Sequence, residues 1–473
     1  MKFFNKIVAV LTILSIVPLS VPAFADTAAL EQRLNDLEQQ VAILKRQIEN
    51  KKEDETKKAL EYPVISASAK DGFTIKSPDD NYKLKIGGYV QADGRFFTNN
   101  KKDSSGGTST FLARRVRPVF SGTVAHDFNF YVMPELTTTT SGAPVLVDAY
   151  AEYAKFPAFK FRAGKFKAPF SIENLQNSQY NNFAELGLPS NLYPSRDIGV
   201  QLSGGFLNDS INYGVGYFNG QNDRESSNSA TGNTDTNNDK AFVGRLFIQP
   251  LKNTSIGVLN GLGLGYAASY EHAETSTLPS FISPGQLSVF TFASTGTPGT
   301  TTNIHNDGPR IRTSPQVSYY YKSLGVLGEY VDSTQSIAAL KSGVLNKEKF
   351  KNKAWQVSGT YVLTGEDASY AGVKPRHAFD PASGNWGALE LAARYGELLI
   401  DNKIFDDGFS SLTTSVSKET AWASGLNWYL NNNVKLLFDF EQTKFRRGNT
   451  NNIGAPQNRK TENLVTSRLQ VSF

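Results

Sequence analysis

From Leu84 to its last residue the chain repeats one theme: stretches of roughly ten residues in which apolar and polar side chains alternate, separated by turn-forming residues. Leu84, Ile86, Val90 and Ala92 alternate with Lys85, Tyr89, Gln91 and Asp93, and Val116, Phe120 and Val124 with Arg115, Arg117, Ser121 and Thr123. The same beat returns in Phe159-Lys160-Phe161-Arg162 and, near the end, where Leu436, Phe438 and Phe440 alternate with Lys435, Asp439 and Glu441. A period of two gives each strand one greasy and one wet face. Marking such segments predicts about sixteen strands, an even number suited to a closed antiparallel barrel. The final stretch, Asn463 to Phe473, alternates to its end, so its edge needs a partner strand, which closure provides.

The beginning of the chain supplies a compartment. Lys2 and Lys6 mark a short basic region before a nearly all apolar run from Ile7 to Val17, and Ala23-Phe24-Ala25 offers small residues at the cleavage spacing. This predicts a secretory signal peptide over residues 1–25, with the mature chain starting at Asp26. No other stretch approaches the ~18 continuous apolar residues of a spanning helix. An exported chain that enters a membrane must then do so as strands. With 31 Phe, 20 Tyr, 39 Gly and a mean hydropathy of −0.35, the composition fits aromatic girdles outside and a polar lumen inside. A phenylalanine closing an alternating strand resembles the C-terminal signal of bacterial outer-membrane barrels.

Little points to an enzyme. There is no Cys, which excludes disulfides and thiolate metal sites. The 4 His (His126, His272, His305 and His377) have no metal-ligand spacing, and no Gly-rich phosphate loop leads into a helix. No catalytic residue, metal, cofactor or nucleic-acid partner is expected.

Four zones follow: the signal peptide, a coiled-coil helix at 26–60, a linker at 61–81 and a transmembrane barrel at 82–473. In the second, Leu30, Leu34, Leu37, Val41, Leu44 and Ile48 recur at heptad spacing. About three heptads are too few for a stable isolated helix, so copies held close by a larger body are expected to associate. In the barrel, short links (Ala125–Asp127, Pro157–Ala158, Leu207–Ser210, Ser323, Asn431–Asn433) alternate with long polar ones (Gly220–Asp239, Glu271–Gly308, Asp332–Asn352, Arg447–Lys460). This is the turn and loop asymmetry of outer-membrane barrels. Gly365 to Asn385 breaks the rule, being long on the short-turn side.

If Phe120, Phe161 and Phe473 face lipid, the period of two puts a basic ladder in the lumen: Arg95, Arg115, Arg117, Lys160, Arg162, Arg245, Arg312, Arg394 and Arg468, with Lys85 beside them. The opposite assignment would put Lys or Arg in lipid at ~2–4 kcal/mol each at the midplane. Fewer acids share that face: Asp93, Asp148, Glu152, Glu390, Asp439 and Glu441. The net charge is only +5, falling to +3 without Lys2 and Lys6, so selectivity must come from placement.

Several segments resemble the phosphate-selective porin O and P family: Lys85-Ile-Gly-Gly-Tyr-Val-Gln-Ala-Asp-Gly-Arg95, Gly164-Lys-Phe-Lys-Ala-Pro-Phe170, Ser195-Arg-Asp-Ile-Gly199, Leu363-Thr-Gly-Glu366, Trp386-Gly-Ala-Leu-Glu390 with Ala393-Arg-Tyr395, and Asn427-Trp-Tyr-Leu-Asn431. Their joint order over roughly Asp71 to Phe473 carries the resemblance. It implies a homotrimeric outer-membrane channel for small anions, phosphate foremost, constricted by the third external loop. Here that loop is Lys167 to Arg196. Its Phe170, Phe183, Leu186, Leu188 and Tyr193 need burial, which folding into the lumen would give. Lys165, Lys167 and Arg196 bracket the loop and are the expected anion contacts at the constriction. The alternatives are a general or sugar-passing porin, with Tyr89, Tyr150 and Tyr320 facing inward, or an envelope tether built on a periplasmic coiled coil.

Overall fold

The computed structural model describes residues 27–68, 72–98, 107–137, 144–224, 238–274, 278–293, 301–341, 343–450 and 456–473, and the segment read as a signal peptide lies outside them. The chain divides into two compact units, Met1–Pro63 and Val64–Phe473.

The first unit is a helix, Thr27–Glu61 (α1), of 35 residues. Ala, Leu, Glu, Gln, Lys and Arg dominate it, and neither Gly nor Pro interrupts it before Pro63. Leu34, Leu37, Val41, Leu44 and Ile48 are all exposed along it.

The second unit is a barrel. Its strands are β1 (Lys83–Phe97), β2 (Thr110–Val124), β3 (Phe128–Glu135), β4 (Val145–Phe156), β5 (Phe159–Phe166), β6 (Asp197–Phe206), β7 (Ile211–Phe218) and β8 (Ala241–Ile248). They continue as β9 (Leu262–Ala273), β10 (Thr301–Tyr321), β11 (Leu324–Lys341), β12 (Val344–Val362), β13 (Ala388–Leu399), β14 (Val416–Tyr429), β15 (Val434–Thr450) and β16 (Glu462–Ser472). Each pairs antiparallel with the next. β16 pairs β1 from Leu464↔Phe97 to Ser472↔Tyr89, so the sixteen strands among the described residues close on themselves. The terminal residue completes the seam: Phe473 N–H donates to the Gly88 carbonyl at 3.0 Å, and Gly88 N–H to the Phe473 carbonyl at 2.9 Å.

The face assignment follows the alternation. Phe161 is 49 % exposed and Leu469 46 %, whereas Arg468, between Ser467 and Leu469, is 3 % exposed. Two features differ from the sequence reading. The 61–81 stretch carries a hairpin, Val64–Ser68 with Gly72–Lys76, whose second strand pairs with β1. Asp332–Asn352, expected as a long loop, is instead the top of a tall hairpin in which β11 and β12 stay paired from Leu324↔Tyr361 to Lys341↔Val344. Ile337, Ala339 and Phe350 of this upper part join the buried core, so apolar packing as well as hydrogen bonding sustains the ladder there.

The long turn between β12 and β13 lies on the short-turn side, as its position requires. It is folded rather than loose: Val362, Ala368, Val373, Ala388 and Tyr429 share a buried cluster.

Candidate pore constriction

The loop from Lys167 to Arg196 leaves β5 and returns to β6, crossing the lumen to the opposite wall. Short apolar anchors drive this. Phe170, Ile172, Phe183, Leu188, Leu192 and Tyr193 are buried, and burying a large apolar side chain contributes ~1.5–3 kcal/mol. Two short helices shape the path, Ile172–Leu175 and the 3₁₀ turn Leu188–Leu192. Ser171 caps the first by accepting from Asn174 N–H at 3.2 Å, while its hydroxyl donates to Glu329 of β11 at 2.8 Å.

Wall side chains then satisfy the loop's backbone. Asn427 Nδ2 donates to the Asn182 carbonyl (3.0 Å), Lys435 Nζ to Asn181 (3.0 Å), Gln470 Nε2 to Gln179 (3.0 Å) and Gln316 Nε2 to Phe170 (2.5 Å). Ala184 is held on both sides, its N–H donating to Asp439 Oδ2 at 2.6 Å and its carbonyl accepting from Arg468 at 2.8 Å. The β12–β13 turn reaches the loop from the other end: Tyr370 donates its hydroxyl to the Ile172 carbonyl, and Gln176 Nε2 donates to the Tyr370 carbonyl at 2.7 Å.

The three cations bracketing the loop do not act alike. Lys167 and Arg196 line a cavity of about 280 Å³ together with Tyr89, Tyr131, Tyr150 and Asp148. Arg196 grips Asp148 with Nε at 3.0 Å and Nη2 at 3.3 Å. Lys167 Nζ donates to the Gln176 carbonyl at 2.7 Å. Burial, with repulsion from Arg196, pushes the Lys167 ammonium well below the usual lysine range, so a nearby anion would help it keep its proton. Lys165 turns to the Leu146 carbonyl instead, at 2.7 Å. Gly164 makes that strand pairing possible: at φ +132°, a Cβ there would lie 2.2 Å from the Ala149 carbonyl oxygen.

The ladder residues separate into groups. Arg95, Arg115 and Arg468 converge on one loop carboxylate, Glu185. Arg394 bridges Glu173 and Glu441, both at 3.2 Å, and stacks over Phe183 at 4.4 Å. Arg117 pairs with Glu135 at 2.7 Å and Arg162 with Glu152 at 2.6 Å. Arg312 is locked between Asp223 (2.5 Å) and Glu271 (3.2 Å), beside Arg310 on Glu271 at 2.7 Å. Arg245 donates to Gln316 at 2.9 Å, and Lys160 sits in register with Ser203.

Two arginines escaped the sequence reading. Arg310 lies just past the loop end at Gly308, two residues before Arg312 on the same face of β10, so the period of two also points it into the lumen. Arg114 is the extra residue of a bulge, since Gln91 pairs Arg115 while Ala92 pairs Ala113. Both Arg114 and Arg115 therefore turn inward. The adjacent pair was itself a signal, because strict alternation would force one of them into lipid.

A closed antiparallel barrel with an aromatic exterior, a charged interior and a loop folded across its bore is an outer-membrane channel. The model of the family described as "Phosphate-selective porin O and P" matches residues 84–473, and the chain belongs to that family. Porin O of Pseudomonas aeruginosa is 23 % identical over 409 residues, covering 82 % of this chain and 89 % of that protein. Among solved structures, the outer-membrane channel DcaP of Acinetobacter baumannii gives a TM-score of 0.51 at 11 % identity, over 84 % of this chain and 99 % of that one. OmpT, an outer-membrane protein of Vibrio cholerae, gives 0.50 at 13 % identity, over 83 % and 98 %.

Proposed function

We propose that the channel passes small anions by diffusion, phosphate foremost, and that Lys167 and Arg196 form the anion contacts at its constriction, with Lys165 behind them. The observation that carries this is the count of charge at the loop's base: three cations, Lys165, Lys167 and Arg196, share two nearby carboxylates, Asp148 and Asp197. Lysine offers a point charge and arginine paired planar donors, together replacing part of an anion's hydration shell. Release requires that binding stay weak, which suits Arg95, Arg117 and Arg162 as a spread of contacts rather than one deep site. The family's description, "Phosphate-selective porin O and P", supports phosphate as cargo.

The test is a reversal potential. In a KCl gradient across a planar bilayer the reconstituted channel is expected to favour chloride, and added phosphate to reduce the chloride current. A cation-selective potential would end this reading.

The exposed heptad face of α1 supports a trimer joined in part by a periplasmic coiled coil. A chain lacking Thr27–Glu61 is expected to insert with unchanged unit conductance, while its oligomer dissociates at a lower temperature on native gels. Equal thermal resistance with and without the helix would remove it from the assembly.

A further inference from the structure

We propose that Glu185 is a resident counter-ion seated in an oxyanion-binding site made by Arg95, Arg114, Arg115 and Arg468, and that anions moving along the lumen compete with it for these guanidiniums. The inference rests on the anion-channel reading and adds a residue that sets how tightly the channel holds its cargo.

The geometry is that of a bound anion. Arg114 grips the carboxylate in two-pronged fashion, Nε to Oε1 at 2.6 Å and Nη2 to Oε2 at 2.9 Å. Arg95 donates to Oε1 at 2.5 Å, and Arg115 and Arg468 close in at 3.5 and 3.6 Å. Such paired N–H donors accept a phosphate as readily as a carboxylate. Burial alone would raise the Glu185 carboxyl, yet Arg114 and Arg115, aided by Arg95, hold it well below the usual carboxylate range.

Charge at the cluster is uneven. Arg468 is already committed to Asp93, its Nε and Nη2 donating at 2.6 and 2.7 Å. Four guanidiniums thus face two carboxylates. The Nε groups of Arg95 and Arg115 are buried with no protein acceptor, so donors remain for a second anion.

The two carboxylates differ in what carries them. Asp93 belongs to strand β1, whereas Glu185 belongs to the loop crossing the lumen. The loop's backbone there is fixed independently of the Glu185 side chain. Asp439 and Arg468 hold Ala184, and Arg394 donates to the Glu185 carbonyl at 3.0 Å. The carboxylate can therefore swing out and yield its place without releasing the loop.

The experiment uses the full-length channel in planar bilayers, with inorganic phosphate titrated against a chloride current. Glu185→Gln removes the resident charge at constant shape. The phosphate concentration giving half-block is expected to fall about tenfold, equivalent to ~1.4 kcal/mol of relieved competition. Glu185→Asp should restore a value near the parent's, and Glu185→Gln combined with Arg114→Gln should move it back upward. A half-block unchanged or raised in Glu185→Gln, in a parent that is anion-selective, overturns this inference alone. A cation-selective parent overturns the anion reading beneath it. Should Glu185→Gln fail to insert, Arg114→Gln carries the test: half-block rises if the site exists, and an unchanged value overturns it.

Discussion

Arg394→Leu should give a channel of several-fold higher conductance and lower resistance to unfolding. The guanidinium is a hub: it joins Glu173 and the Glu185 carbonyl, both on the loop, to Glu441 on β15, and it covers the Phe183 ring. Its side chain is only 4 % exposed, so removal leaves two carboxylates without their cation in a poorly hydrated place. Breaking such a pair costs ~3–5 kcal/mol, much of it from the charges left behind. The barrel ladder is untouched, so the loss falls on the loop, which leaves the lumen wall and widens the path. Single-channel recording with urea unfolding in detergent checks both halves. Arg245→Gln is the contrast, because Arg245 donates to Gln316 and is expected to shift conductance little. A parent-like conductance in Arg394→Leu would mean that the remaining backbone contacts suffice to hold the loop.

Reversing two charges at the other end of the loop should reverse selectivity. In Lys167→Glu with Arg196→Glu, the local balance changes from one excess positive charge to three excess negative ones, counting Lys165, Asp148 and Asp197. Narrow, low-dielectric surroundings make such charges count more than the same charges in open water. The expected result is a change of sign in the KCl reversal potential and loss of inhibition by phosphate. The sign should persist at low salt and weaken as salt rises, since mobile ions screen the ring. An unchanged sign would place the selecting charges elsewhere, at the Glu185 cluster or higher in the lumen.

The sequence was most legible where chemistry repeats. Lipid tolerates no misplaced arginine, so Phe161, Leu469 and Arg468 reveal their faces from alternation alone. The crossing loop was bounded at Lys167 and Arg196 because its aromatics have nowhere else to go. What alternation hides is pairing at long range. Nothing near Arg394 in sequence points to Glu173, and nothing near Arg312 to Asp223, because these contacts exist only once the loops fold inward. Strand height was hidden too: Asp332–Asn352 is polar enough for a loop, but its unbroken backbone pairing builds a tall hairpin. The bulge at Arg114 lies between these cases, betrayed by one improbable pair of neighbours.

That bulge bears on how channels of this kind could diversify. Ala113 already pairs Ala92, and Arg115 already pairs Gln91, so excising Arg114 alone would leave every other side chain of the hairpin facing as before. Length variation by one codon can thus tune the electrostatics of the bore without a single replacement elsewhere, a route to new permeation behaviour that comparison of substitutions alone would miss.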